Sequence, residues 1–317
     1  MSVVLLAPSS DKPEHDLCLA VCSRDLRSPQ AQRTLRNLIS QTWPPNGALL
    51  LVLNSGELAP NLDYLQDALD DAHPPIYLAY ETEPGFASVR NCALDWARNC
   101  NSLLFLDDDT VVETGWIMHM WQDSHQQPSQ IIGSLHTRVE IVPPDQASID
   151  RIASSVRTTN VPTLSGTNGL LLPLSVVANH RFNPLFNLSG GEDTEFLMRL
   201  ASQGYAQRTA KCIAIEEDRF LSEYWIDDAR ASFRQGQLWI AVNRTLGRPT
   251  GALRLRSFIG LIPATTLLLL RSPQDRSKRR RALRLAAVRL GVFFGKVSVS
   301  NLAGMPQTSE HDRECPC

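Results

Sequence analysis

Three observations predict an α/β fold with a mostly parallel, helix-covered central sheet. Strand-like and helix-like stretches alternate, with short connections, from residue 16 to residue 106. The strand-like stretches are short apolar runs of the kind that fit buried strands. Each ends in a polar cluster, as strands do when their carboxyl ends line a ligand crevice.

The elements follow in order. Asp16 to Cys22 reads as a first strand, and Pro29 to Gln41 as a helix with Leu35, Leu38 and Ile39 on one face. Ala48 to Leu53 is a second strand, closed by the turn Asn54-Ser55-Gly56. Asn61 to Asp71 has helical spacing of Leu62, Leu65 and Leu69, and Pro74-Pro75 ends that segment. Ile76 to Tyr80 is a third strand, Gly85 to Asn99 a helix, and Ser102 to Leu106 a fourth strand. The alternation then loosens. Ile131 to Val142 reads as one strand or two, Leu170-Leu171-Leu172 as another after a Gly-rich turn, and Tyr205 to Ile215 as a further one. Thr194 to Gln203 and Trp225 to Asn243 read as helices.

A hydrophobic content of 43% and a charged content of 20% suit a protein able to bury a core. The net charge of −2 hides an uneven distribution. From Arg244 to Lys296 there are thirteen bases and a single acid, Asp275. That split predicts a C-terminal surface facing an anionic partner. Nucleic acid is not expected, because no recognition motif accompanies the charge. The seven cysteines are scattered and show no disulfide framework, which favours a reducing compartment. No secretory signal is legible at the N-terminus.

The fourth strand ends in Asp107-Asp108-Asp109. Three adjacent carboxylates repel one another unless a positive group binds there. A divalent cation with hard oxygen ligands, carrying a phosphate on its far side, meets that need. Asp107 and Asp109 point the same way if strand geometry persists, because side chains alternate with period two. The competing reading is an acidic helix start, with Thr110 to Thr114 opening a turn.

A second acidic pair, Glu192-Asp193, follows Gly190-Gly191 and opens a helix. As a structural feature it is an acidic first turn with Asp193 or Thr194 as cap. Beside an upstream D-x-D it also suits a carboxylate that deprotonates an incoming hydroxyl. Arg90, on the helix after Pro84-Gly85-Phe86, is placed to bind phosphate or to order the acidic cluster.

These stretches, taken in order, resemble glycosyltransferase family 2, nucleotide-sugar-dependent enzymes of the Rossmann-like GT-A fold and the inverting type. The matching marks are the first strand and its helix, Gly85 to Asn91, Phe105 to Asp109, Gly166-Thr167-Asn168-Gly169, and Gly190 to Phe196 with Arg199 and Gly204. They cover residues 16–243. The stretch from Glu216 through Arg219 to Arg234-Gln235-Gly236 is similar to bacterial exopolysaccharide transferases of the succinoglycan type.

The resemblance implies roles. Ser23, Arg24 and Asn54 would line the nucleobase pocket, with Arg90 near the nucleotide. Asp107, with Asp108, would face the ribose or diphosphate, and Asp109, with Asp107, would hold Mg2+ or Mn2+. Asp193 would be the base on the acceptor hydroxyl, supported by Glu192. Gly166, Thr167 and Asn168 would border the donor sugar and acceptor, and Arg234 would touch the diphosphate. Processive relatives carry a Gln-x-x-Arg-Trp box that is absent here in that form, which implies addition of a single sugar. Many relatives have Asp where Asn54 stands, which leaves UDP as the donor nucleotide open.

Two other readings stand beside it. Asp107-x-Asp109-x-Val111 also resembles the nucleophile loop of haloacid dehalogenase-like phosphatases, and a non-catalytic transferase-like scaffold at a membrane is the third. Residues 244–300 are expected to form a basic, apolar helical extension, and 301–317 a flexible tail. Ser257 to Leu270 is apolar but interrupted by Pro263 and shorter than a spanning helix needs. Arg279 to Lys296 reads as a basic amphipathic helix on anionic lipid, which suits a lipid-linked acceptor and a cytoplasmic place on the inner face of the cell membrane.

Overall fold

The strand β1 (Leu17–Ser23) is apolar along almost its whole length because both of its faces are covered. In the computed structural model it lies between β2 (Gly47–Leu53) and β4 (Ser102–Asp107), parallel to both, and β3 (Ile76–Tyr80) extends the parallel run beyond β2. The structure describes residues 14–54, 74–139, 141–156, 166–217, 225–261 and 276–294. The expected helix Asn61 to Asp71, the terminal Cys-Pro-Cys and Arg219 lie outside these residues.

Two compact units divide the chain: residues 1–182 with 196–219, and residues 183–195 with 220–317. The helix from Trp225 falls in the second unit.

In the first unit an eight-stranded sheet has the order β3-β2-β1-β4-β7-β6-β8-β5. Its further strands are β5 (Thr110–Val112), β6 (Ile131–Val139), β7 (Leu170–Pro173) and β8 (Gln207–Glu217). Strand β7 runs antiparallel between β4 and β6, β6 pairs parallel with β8, and β5 pairs antiparallel with β8.

Strands β4 and β5 are close in sequence but four places apart in this order. Four steps across a flat sheet would be roughly 19 Å. The three residues from Asp107 to Thr110 reach at most about 11 Å. The sheet therefore curls, and the Asp107–Thr110 turn closes the gap.

Helices cover both faces. On one, α1 (Pro29–Ile39) and α3 (Trp116–Gln126) bury Leu35, Leu38, Trp116, Ile117 and Met120 against Leu19, Leu49 and Leu104. On the other, α2 (Phe86–Trp96) sets Ala93 and Leu94 against Cys18, Leu50 and Phe105. Helix α4 (Gln146–Val156) covers β8 and β6 through Ile149 and Ala153. Helix α1 starts where Ser28 Oγ accepts from the Ala31 N–H at 3.1 Å, with Pro29 in the first turn. A short helix α5 (Leu174–Val177) follows β7. Helix α6 (Glu192–Ser202) carries residues of both units.

The second unit contains α7 (Trp225–Thr245), α8 (Gly251–Ile259) and α9 (Arg276–Phe294). Helices α7 and α9 cross where Gly236 meets Gly291. A Cβ on Gly236 would stand 2.1 Å from the Val288 carbonyl oxygen, and one on Gly291 2.0 Å from that of Phe233. Among the described residues no helix is long and apolar enough to cross a membrane.

Candidate active site

The polar ends of β1, β2, β3 and β4 follow apolar strands whose interior positions the core requires. Strand β4 runs one residue further than its apolar pattern, to Asp107. Strand β5 begins at Thr110, so the helix-start reading of the acidic triplet is overturned: the three carboxylates form a strand-to-strand turn, and the next helix opens only at Trp116.

Each carboxylate has its own surroundings. The Arg90 guanidinium, almost buried, lies 3.7 Å from Asp107 Oδ1. Asp108 accepts the Ser23 hydroxyl proton at Oδ2 over 2.5 Å, and its carbonyl accepts from Thr34 Oγ1 at 3.0 Å. These two bonds fasten the turn to the end of β1 and to α1. Asp109 lies 3.5 Å from Thr110 Oγ1, and its carbonyl accepts the Glu217 N–H at 3.3 Å.

Asn168 spans the turn. Its Oδ1 accepts the Asp107 N–H at 3.2 Å, and its Nδ2 donates to Thr110 Oγ1 at 2.8 Å. The turn is thus held at both ends by one amide. Gly169, the next residue, has φ +65°, and a Cβ there would stand 2.0 Å from Ser134 Oγ. Only glycine fits so close an approach in that conformation.

The Asp107 carboxyl is pushed up to about 7 by burial and by the charges of Asp109, Asp108 and Glu216, against the downward pull of Arg90. The side chain is still 42% exposed, so a ligand can reach it. Three further carboxylates, Asp108, Asp109 and Glu216, push the same way, so negative charge gathers around Asp107 beside the single Arg90 guanidinium. Hard oxygen donors with surplus negative charge fit Mg2+ or Mn2+. Among the described residues no group of three His, Cys, Asp or Glu side chains converges to hold a metal alone. Asp109 and Asp107 would therefore supply part of a shell that phosphate and water complete.

The remaining expected residues divide between the units. Arg24 is exposed after β1. The Asn54 amide is committed to backbone, donating to the carbonyls of Glu81 and Glu83 and accepting the Gly85 N–H at 2.8 Å. It joins the ends of β2 and β3 to the start of α2. Thr167 is buried, and its hydroxyl finds no hydrogen-bond partner among the described residues. Gly166 is half-buried.

Glu192, Asp193 and Arg234 belong to the second unit. Gly190 and Gly191 have φ of +76° and +89°, and α6 starts directly after them. Glu192 is buried, whereas Asp193 is half-buried and accepts the Thr194 N–H at 2.6 Å. Arg234 is half-buried on α7.

The sequence reading assigned no site role to three contributors. Thr34 binds the turn from α1. Glu216, opposite Thr110 in the sheet register, adds charge beside Asp107 and pairs with Arg138 at 3.0 Å. His136 lies 3.3 Å from Ser134 Oγ, and burial and the Arg138 charge hold it down at about 4, against a backbone bond with Asn168. Glu216-Glu217 at a strand end was the only legible signal among them.

No family model matches the sequence, and no curated protein matches it. The chain is similar in structure to GalNAc-T7 crystallised with UDP, GalNAc and Mn2+, at a TM-score of 0.55 and 12% identity, over 86% of this chain and 54% of that one. It spans about half the length of that protein. S. aureus TarS 1–349 in complex with UDP-GlcNAc is similar at a TM-score of 0.49 and 12% identity, over 86% of this chain and 89% of that one. The sheet and its helical layers have the GT-A glycosyltransferase fold.

Proposed function

We propose that the chain is an inverting glycosyltransferase. It moves a sugar from a nucleotide-diphosphate sugar to a hydroxyl of a glycan or lipid-linked acceptor in surface polysaccharide synthesis. The observation that carries this reading is the Asp107–Asp109 turn at the carboxyl end of a central parallel strand, held by Arg90 and Asn168 within a GT-A fold. A neighbour of the same fold crystallised with UDP, GalNAc and Mn2+ supports the donor class. The family 2, succinoglycan-type resemblance supplies the pathway.

Asp109 with Asp107 would hold Mg2+ or Mn2+, which when bound offsets the charge of the diphosphate. Ser23, Arg24 and Asn54 border the nucleobase, Asn54 by fixing backbone rather than by its own free amide. Arg90 and Arg234 add positive charge for the phosphates. Gly166, Thr167 and Asn168 border the donor sugar and acceptor. Asp193, steadied by Glu192, takes the acceptor hydroxyl proton as that oxygen bonds the anomeric carbon. The bond from that carbon to the phosphate oxygen breaks, and the nucleoside diphosphate leaves with the electron pair. A membrane surface is the place of action, on the cytoplasmic side, reached through the C-terminal region.

The test is a thermal-shift screen of the whole chain against UDP, GDP, CDP and dTDP, each with and without Mn2+. A metal-dependent shift with one nucleotide supports the reading and names the donor base. Absence of any shift in folded protein sinks it.

A further inference from the structure

Helix α9, which carries most of the basic stretch Arg279 to Lys296, has several buried residues in the second unit. Ala286, Ala287, Gly291 and Val292 of α9 are buried, and the Gly236–Gly291 crossing shows that α7 covers that face. Leu285 of α9 remains 46% exposed, and a larger exposed apolar group lies on α8. Leu255 is 60% exposed, Phe258 47% and Ile259 58%. At i, i+3 and i+4 these three share one face of the helix. At about 100° per residue they span an arc of roughly 100°, with the exposed Arg256 beyond one edge and the half-buried Arg254 beyond the other. Phe258 packs on Phe293 at 4.9 Å, and Phe293 on Phe294 at 5.0 Å, so the apolar strip continues to the end of α9. Phe294 is itself 57% exposed.

We propose that α8, with the Phe293–Phe294 end of α9, is the element that enters an anionic lipid surface. The proposal rests on the membrane reading above and names α8 as its point of entry. An apolar ridge edged by arginines matches an interfacial helix, whose side chains enter the acyl boundary while its cations stay at the headgroups. Charge selects the occupant. The thirteen bases and one acid between Arg244 and Lys296 favour an anionic bilayer. They disfavour a second copy of the chain, which would bring like charges together.

The experiment is co-sedimentation of the full chain with vesicles of phosphatidylcholine alone, and of phosphatidylcholine with an equal part of phosphatidylglycerol. The wild type is expected to pellet with the anionic vesicles, and to be released by high salt. Leu255→Ser with Ile259→Ser, both highly exposed, is expected to weaken that binding at least tenfold while thermal unfolding is unchanged. Arg256→Gln is expected to weaken it on anionic vesicles only. Equal pelleting of the double variant and the wild type overturns the assignment. So does equal binding to both vesicle types, or a wild-type dimer that the double variant dissolves without any lipid binding. The nucleotide thermal shift is recorded in parallel. A metal-dependent shift without vesicle binding defeats this inference alone. Vesicle binding through α8 without any shift defeats the transferase reading and leaves this one standing.

Discussion

Asp107, Asp109, Asn168 and Asp193 carry predictions that separate binding from chemistry. Asp109→Asn is expected to abolish the metal dependence of the nucleotide thermal shift. Asp193→Asn is expected to keep that shift and lower sugar transfer by about 10²–10⁴-fold, the usual contribution of a general base. Transfer by the Asp193 variant at the wild-type rate would remove it from that role. Asn168→Ala deletes an acceptor and a donor that meet the two ends of the acidic turn. A loss of about 1–3 kcal/mol in denaturant unfolding is expected, together with weaker Mn2+ binding by calorimetry. A variant with wild-type metal affinity would show that the turn holds its shape without the amide. The elevated Asp107 carboxyl makes stability depend on pH. Its folded state binds a proton more tightly than its unfolded state, so its contribution is present at low pH. It is lost as pH rises from the ordinary carboxylate range through about 7. Metal-free protein should therefore show a falling melting temperature over that interval, and saturating Mn2+ should reduce the slope. A flat profile without metal would count against the burial and neighbouring charge that raise the Asp107 carboxyl. At this scale the sequence disclosed residue types but not commitments. Asp107-Asp108-Asp109 stood out by charge alone, whereas the occupation of Asp108 by Ser23 and Thr34 arises from contacts between residues 85 and 74 positions apart.

Helices and strands show where local pattern suffices and where packing overrides it. Strands β1 to β4 were legible because a strand buried on both faces must be apolar throughout. Helix α1 was legible from Leu35, Leu38 and Ile39 on one face, whereas its Ser28 cap was not read from the sequence. The stretch after Asp109 was not, since Thr110–Val112 is three residues long and gains its strand state from pairing with β8. Helix α9 was legible as a helix, but its buried face was set by the glycine crossing with α7. Gly291→Ala would place a methyl group against the Phe233 carbonyl with no flexible side chain to yield. A destabilisation of about 1–3 kcal/mol is expected from such overpacking, read as a lower unfolding midpoint. An unchanged midpoint would mean that α7 and α9 separate without cost.

For the whole molecule, binding and stability are linked. A nucleotide with Mn2+ at one hundred times its dissociation constant should stabilise the folded chain by about 2.7 kcal/mol. Calorimetric unfolding with and without the pair measures this, and an unchanged transition would show that the folded state does not select the ligand. The sequence by itself determined the alternation of buried strands and helices, the acidic strand end, the glycine-led Glu192-Asp193 and the basic C-terminal stretch. Each is written in local residue order and obeys periods of two or about 3.6. Only the tertiary structure decided that the sheet curls until the Asp107–Thr110 turn closes it, and that Asn168 clasps that turn. It also decided which residues of α9 pack away from solvent, Ala286, Ala287, Gly291 and Val292 among them. These depend on residues far apart in the chain, whose meeting is fixed by sheet pairing and close packing rather than by any local pattern.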